Sequence, residues 1–167
     1  MAYYPTNFYS SYPQQQFPQY QYQYQQQSNL YTGLQGKIAL NQDVLFTDTA
    51  VCSNNNSILH RSGSGLVTLR GITNQCRARF KITFGGNIAV PATETVKPIS
   101  LAIAINGESV QSTNMIATPA AVGEFFNVGR SIYVDVPSGC CAQISIKNTT
   151  EGAISVQNAN LIVERMA

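Results

Sequence analysis

From Lys37 to the C-terminus, apolar and polar residues alternate in short segments separated by Gly, Asn, Ser and Pro. Successive side chains of an extended strand point to opposite faces, so a period of two predicts β-strands. We predict strands at residues 38–46, 57–60, 66–69, 76–84, 99–105, 110–118, 125–137, 142–148 and 153–164. Strands of this spacing are typical of an all-β fold, and we predict a jelly-roll sandwich.

Two segments indicate how strands are buried. In residues 77–84 the apolar side chains share one face and the polar ones the other, which predicts one core face and one wet or interfacial face. Residues 99–105 place large apolar side chains on one face and small ones on the other, as expected for a central strand packed on both sides. Asn106–Gly107 then carries the type I′ turn signature, which predicts a hairpin.

The adjacent aromatic residues Phe125 and Phe126 must point to opposite faces if they lie on a strand. Only one of them can then enter the core, and the other needs a partner. We predict an oligomer interface formed by Phe125, Phe126, Ile132 and Tyr133, since aromatic residues are common interface anchors. The alternative is a local bend that buries both rings.

Residues 1–36 contain no charged side chain but hold eight of the nine tyrosines, ten glutamines and three prolines. Such a segment has too few aliphatic residues to form a core, and its prolines interrupt helices and central strands, so we expect it to be disordered on its own. We therefore divide the chain into a tail, residues 1–36, and a β domain, residues 37–167.

Two interpretations of the tail remain open. A glutamine-rich segment is often a solvated linker. The aromatic content favours an anchor, because tyrosine brings a large contact area at a small rotamer cost, and residues 19–25 would place three phenol rings on one face of a strand. Without charges, such an anchor is expected to be insensitive to salt. The candidate anchoring residues are Tyr3, Tyr4, Phe8, Tyr9, Tyr12, Phe17, Tyr20, Tyr22 and Tyr24.

Charged residues make up 11% of the chain, and the net charge is +2. A surface with so few charges favours assembly, and the absence of a basic run argues against nucleic acid as a partner. Arg70, Arg77, Arg79 and Lys81 form a local basic cluster that we interpret as a solvated strand face. No apolar stretch approaches the roughly 20 residues of a membrane span, and no secretion signal is recognisable, so we expect synthesis in the cytoplasm.

The sequence offers little for catalysis or metal binding. The only histidine is His60, and no carboxylates have a paired spacing, so we expect a binding protein that is not an enzyme and has no cofactor. Residues 60–65 lack the strand-to-helix context of a nucleophile elbow and predict a glycine turn. We expect the four cysteines, Cys52, Cys76, Cys140 and Cys141, to be reduced and buried; a disulfide formed in an oxidising medium and a metal site are the alternatives.

Several phrases of the domain resemble a known group of proteins. VLFTDT (44–49), HRSGSGLVTLRG (60–71) and QCRARF (75–80) are similar to small phage-associated structural proteins of Firmicutes and their prophages, and the likeness continues at residues 99–107, 118–121, 126–128, 133–141 and 156–161. Residues 65–84 also resemble the glycine-led strand pair of C1q and tumour-necrosis-factor jelly rolls. That resemblance implies a homotrimer.

Two functions remain open at this point. The first is a virion structural protein, a trimeric decoration or short fibre on a phage capsid or tail that attaches by residues 1–36 and is made in the host cytoplasm. The second is an adhesion module that binds a receptor or a host-surface glycan. The first is favoured, because the sequence has no tryptophan and only one domain tyrosine, Tyr133, to serve as a sugar platform.

Overall fold

The structure is a computed structural model that describes residues 27–33, 36–51 and 56–166. The described residues form two antiparallel sheets. Their strands are β1 Gln27–Gly33, β2 Gly36–Ile38, β3 Phe46–Val51, β4 Ile58–His60, β5 Val67–Arg70, β6 Arg77–Ala89, β7 Ile99–Ile105, β8 Glu108–Ser109, β9 Met115–Ala117, β10 Phe126–Pro137, β11 Cys141–Asn148 and β12 Ile154–Arg165. A 3₁₀ turn, Gln111–Thr113, lies between β8 and β9.

The strand order identifies the architecture. The first sheet has the order β10-β6-β12-β1-β3, with β2 also paired to β12, and the second has the order β4-β5-β11-β7-β8, with β9 also paired to β7. The first and last strands are therefore neighbours, and the chain crosses repeatedly between the two sheets. This is a jelly-roll sandwich, as the sequence predicted.

The core lies between the two sheets and is formed by the inward-facing side chains. In β6 these are Ala78, Phe80, Ile82 and Phe84, which are at most 1% exposed. Full burial of a large apolar side chain contributes roughly 1.5–3 kcal/mol, so this strand is a main source of stability. The predicted alternation of β6 is confirmed. In β7 the small residues Ala102 and Ala104 are also fully buried, as expected for a central strand.

The predicted hairpin after β7 is confirmed. Asn106 and Gly107 have φ values of 52° and 86°, and β8 pairs back onto β7. A type I′ turn requires positive φ at both central positions, which Asn and Gly tolerate. The predicted strand 110–118 is broken by the 3₁₀ turn. Thr113 there is buried, and its hydroxyl accepts the Ile103 N–H at 2.9 Å, in place of a strand partner.

The first sheet begins before the predicted domain start at Lys37. Strand β1 lies between β12 and β3, with Leu30 opposite Ile162. Tyr31, one of the eight tyrosines counted in residues 1–36, is 1% exposed and packs in the core. Residues 1–26, which hold all the candidate anchoring residues, lie outside the described part.

The predicted strand at 38–46 is wrong. Strand β2 ends at Ile38, and β3 begins only at Phe46. Between them, Val44 is fully buried, and its N–H donates to the Ile146 carbonyl at 2.8 Å. Residues 41–44 run beside β11, where Asp43 forms an isolated bridge with Lys147, but this contact is too short to make a strand. Apolar residues of a crossing loop therefore produced the pattern of a strand.

The sandwich has two distinct ends. At one end, which we call the tail end, Gln27 pairs with Arg165 and Pro137 pairs with Arg77. Residues 71–76 and 138–140 cross between the sheets there. The opposite end, which we call the far end, carries the loops 90–98, 118–125 and 149–153. The chain therefore enters the fold at the end where its last strand finishes.

Candidate functional site

The predicted interface residues lie on or beside β10, a strand at one edge of the first sheet. Tyr133 is 63% exposed and Phe125 is 40% exposed, whereas Phe126 and Ile132 pack partly buried against the core. The prediction that only one of the two adjacent rings enters the core is confirmed. An edge strand with apolar side chains exposed on its surface is a natural contact surface.

The outer face of the first sheet, the side turned away from the second sheet, extends this surface. Toward the far end, β6 and β10 carry uncharged groups on this face, and Thr83 Oγ1 lies 2.8 Å from Ser131 Oγ. Asn127 Nδ2 donates to Asn87 Oδ1 at 3.0 Å. Gly85 lies opposite Gly129 between these pairs. The result is a flat area of small and amide side chains.

On β6, β10 and β12, the charged groups of this face lie toward the tail end and are paired. Arg79 donates to Asp135 through Nε at 2.7 Å and Nη2 at 2.8 Å, and Arg77 Nη1 adds a bond at 3.2 Å. The hydrogen bond from Arg79 holds the pKa of Asp135 below its usual value, and the same bond raises the pKa of Arg79. Lys81 and Glu164 form a further pair at 3.3 Å.

The predicted basic cluster does not form a single positive surface. On the first sheet, Arg77 and Arg79 share the carboxylate of Asp135, and Lys81 pairs with Glu164. Arg70 lies on the second sheet opposite Cys141. A phosphate backbone needs a continuous row of cations. The interpretation as a solvated strand face fits this arrangement.

His60 is a packing residue. Its Nε2 lies 3.1 Å from the Ser64 carbonyl oxygen, and its ring centroid is 4.5 Å from that of Tyr31 and 6.5 Å from that of Phe46. Gly63, with φ of 80°, supplies the positive φ that the following turn needs. The glycine turn predicted for residues 60–65 is confirmed.

The cysteines differ from the prediction. Cys76, Cys140 and Cys141 are free and exposed, and not buried. All three lie beside the crossings of the tail end, where the strands stop and the core no longer covers their side chains. Cys52 lies outside the described residues. Within the described ranges, no three His, Cys, Asp or Glu side chains are grouped closely enough to hold a metal ion.

Two cavities are relevant to ligand binding. One of about 540 Å³ lies between the β2–β3 loop and the turn before β5, and its walls include Lys37, Asp43 and Leu66. A smaller one of about 260 Å³, at the far end, includes Phe125 and Gln157. In the part of the chain that is described, no helix is long and apolar enough to cross a bilayer.

The fold places the domain in a structural class with known members. Eiger TNF from S. frugiperda has 12% sequence identity and a TM-score of 0.62, covering 85% of this chain and 93% of that chain. Murine APRIL at pH 5.0 has 7% identity and a TM-score of 0.60, covering 84% and 99%. The globular domain of zebrafish complement 1qA has 9% identity and a TM-score of 0.55, covering 83% and 94%.

The domain therefore has a jelly-roll fold of the C1q/TNF type, and identities this low show the fold alone. No protein-family model matches the chain, and no curated protein sequence matches it.

Proposed function

We propose that the protein is a virion structural protein, a homotrimeric decoration or short fibre of a phage capsid or tail. The β domain forms the trimer, and the tyrosine-rich N-terminal segment attaches it to a capsid or tail protein. The observation that carries the assembly part is Tyr133, a large ring that is 63% exposed on the edge strand β10. The outer sheet face beside it has few charged side chains, and Arg77, Arg79 and Lys81 among them are in ion pairs.

The surface chemistry supports self-association. Tyr133 exposes a large ring, and Leu30 and Ile162 add partly exposed aliphatic groups on the outer face of the same sheet. The flat Asn and Gly region allows close approach of another backbone. Low charge limits the desolvation cost of burying this face. A C1q/TNF-type jelly roll, for which the sequence resemblance implies a homotrimer, fits such a contact.

The position of the tail supports attachment. Strand β1 begins at Gln27 at the tail end of the sandwich, and 26 residues precede it. Fully extended, they would reach at most about 90 Å. Three such segments leaving the same end of a trimer would bind one particle with a high effective concentration, so each can be individually weak.

The assembly claim is tested by Tyr133→Arg, with Ile116→Arg as the matched control, since Ile116 is 65% exposed on the second sheet. Light scattering on the full chain is expected to give a trimer for the parent and the Ile116 variant, and a smaller species for Tyr133→Arg. A monomeric parent at micromolar concentration, or a trimer that tolerates Tyr133→Arg, would contradict the proposed interface.

The attachment claim is tested by deleting residues 1–26, which leaves β1 in place. The truncated chain is expected to form the same oligomer as the parent but to be missing from purified virus particles. A second variant that replaces Tyr20, Tyr22 and Tyr24 by Ser is expected to lose part of the attachment, at low and high salt alike. Full decoration of particles by the truncated chain would refute the anchor.

One observation favours a second candidate function, glycan binding by an adhesion module. The cavity of about 260 Å³ at the far end brings Phe125 together with Lys37, Ser155 and Gln157. An aromatic ring can stack on a sugar ring while neighbouring hydroxyl, amide and ammonium groups bind its hydroxyls. A glycan array probed with the parent and with Phe125→Ala tests this function. The parent is expected to bind a glycan and the Phe125→Ala variant to lose that binding, and the absence of any glycan bound by the parent would contradict the function.

A further inference from the structure

The larger of the two cavities, about 540 Å³ in volume, lies between two chain segments that belong to different sheets. One wall is the loop between β2 and β3, and the other is the turn that leads into β5. The turn is bonded to the start of β3, with Phe46 N donating to Ser64 O at 3.1 Å and Gly63 N donating to Phe46 O at 2.9 Å. Ser64 Oγ also accepts the N–H of Leu66 at 3.0 Å. These bonds hold the two walls together, and the volume lies within the roughly 300–1,000 Å³ of small-molecule sites.

The loop presents one carboxylate and one leucine to the cavity. Val44 and Phe46 are fully buried, whereas Asp43 is only partly buried and Leu45 is 44% exposed, and both line the cavity. Leu66, which is 37% exposed, lines it from the turn. The cavity therefore combines an acidic group with exposed aliphatic surface.

The loop and the turn meet at Gly65, which also lines the cavity. A Cβ at this position would lie 2.7 Å from Asp43 Cβ and 3.0 Å from the Val44 carbonyl oxygen. A side chain would overlap these atoms, so glycine is required for the backbone of the turn to approach the loop this closely. This contact fixes the position of Asp43 beside the turn.

The carboxylate of Asp43 has no counter-ion among the residues that the structure describes. Its Oδ1 is buried and accepts no hydrogen bond there, and the carboxylate belongs to none of the ion pairs. Two lysines border this region, but both donate to other groups. Lys37 Nζ donates to Thr93 Oγ1 at 3.0 Å, and Lys147 Nζ donates to the Gly107 carbonyl. A partly buried carboxylate without a partner is unfavourable, so a cation that enters the cavity would be stabilised there.

We propose that this cavity binds an organic cation, in which an ammonium or guanidinium group is attached to an apolar body. The cationic group pairs with the carboxylate of Asp43 through a charge-assisted hydrogen bond, and the apolar body packs on Leu45 and Leu66. An anion would be repelled by Asp43. A bare metal ion would need several oxygen ligands, and no three His, Cys, Asp or Glu side chains are grouped within the described ranges. The site is separate from the proposed assembly surface, because none of its described lining residues belongs to β10.

The test is an NMR titration of the full chain with phenethylammonium, and phenethyl alcohol serves as a neutral probe of similar shape. Saturable shift changes are expected at the backbone amides of Gly65 and Leu66. The ammonium is expected to bind about tenfold more tightly than the alcohol, the factor for one charge-assisted hydrogen bond. A blocked peptide with a single arginine is the second cationic probe. Tighter binding of the peptide would assign the site to a basic side chain of a protein, and tighter binding of the amine would assign it to a small molecule.

Three variants locate the binding. Asp43→Asn removes the charge with little change in shape and should weaken phenethylammonium binding by about tenfold. The matched control is Asp48→Asn, because Asp48 is an exposed carboxylate of β3 that does not line the cavity. It should change the affinity by less than about twofold, since salt screens exposed charges. Leu66→Lys keeps Asp43 but brings a tethered ammonium to the cavity, so it should block the probe in a protein whose amide spectrum shows that it is folded.

The proposal is overturned if neither cation shifts the Gly65 and Leu66 amides, or if the alcohol binds as tightly as the ammonium. Binding to Asp43→Asn that is as tight as binding to the parent would overturn it as well. None of these measurements depends on virus particles or on the oligomeric state, so the proposed virion function is tested independently of this site.

Discussion

Tyr31 provides a sharp test of where the folded domain begins. It belongs by composition to the tyrosine-rich segment, yet it is 1% exposed, between β12 and β3. Its hydroxyl accepts a hydrogen bond from Asn29 Nδ2 at 2.8 Å, and its ring packs on His60. The substitution Tyr31→Ala would remove all of these contacts from one strand.

The expected loss can be estimated from these contacts. Truncating a buried aromatic side chain to Ala lowers the free energy of unfolding by about 3–5 kcal/mol. Loss of the hydroxyl removes the acceptor of the Asn29 side-chain amide, which costs about 1 kcal/mol. We therefore expect Tyr31→Ala to lower the free energy of unfolding by about 4 kcal/mol and the Tm by about 15 °C. The Tyr31→Phe variant isolates the hydroxyl and should lose only about 1 kcal/mol.

The assay is urea unfolding followed by circular dichroism, with all proteins at one concentration because an oligomer's stability depends on concentration. The matched control is Tyr24→Ala, a change of the same residue type seven positions earlier, which should leave the unfolding curve unchanged. Neutral surface substitutions change the free energy of unfolding by up to about 0.5 kcal/mol. If the free energy of unfolding of Tyr31→Ala differs from that of the parent by no more than this, the placement of β1 in the sheet is refuted.

Two further predictions concern the tail end. Gly71→Ala should destabilise by roughly 3 kcal/mol or more, because a Cβ there would overlap the backbone of Pro137, whereas Gly36→Ala meets no atom within 4 Å and should be nearly neutral in thermal unfolding. The pKa of Asp135 is lowered in the folded state, so its stabilising contribution is present at neutral pH and is lost as the pH falls through that lowered pKa. Between about pH 5 and pH 2, acid should therefore lower the urea unfolding midpoint of the parent more than that of Asp135→Asn. If the midpoints of the two proteins fall equally over this range, the stabilising role of the Asp135–Arg79 pair is contradicted.

The sequence predicted those parts of the fold that are determined by the residues of a single strand or turn. In β6, alternation alone identified the core side chains, since every second residue from Ala78 to Phe84 is apolar. In the β7–β8 turn, Asn106 and Gly107 were sufficient, because few other dipeptides tolerate positive φ at both positions. These patterns depend on residues that are close in sequence and not on the residues of the opposite sheet.

The predictions from sequence failed where contacts with distant parts of the chain determine the position or burial of a residue. Strand β1 has the sequence QSNLYTG, and its polar residues look like the tail, because only the neighbouring strands β12 and β3 give Tyr31 its buried position. The cysteines were expected in the core from residue type, but their positions at the crossings expose them. The predicted interface residues Phe126, Ile132 and Tyr133 lie on one edge strand, and Phe125 lies just before it. That they contact another copy of the chain stays a prediction, because the pattern of one chain does not encode its contacts with another.

The start of β1 and the end of β12 lie together at the tail end, so the loops of the far end lie at the opposite side of the sandwich from both of these strand ends. The loop around Gly123, which has a φ of 76°, is exposed and joins β9 to β10 there. A peptide epitope inserted between Ala121 and Val122 would therefore be presented at the end of the sandwich opposite Gln27. The same sandwich would then serve as a display scaffold whose inserted peptide is remote from the first residue of β1 and the last residue of β12.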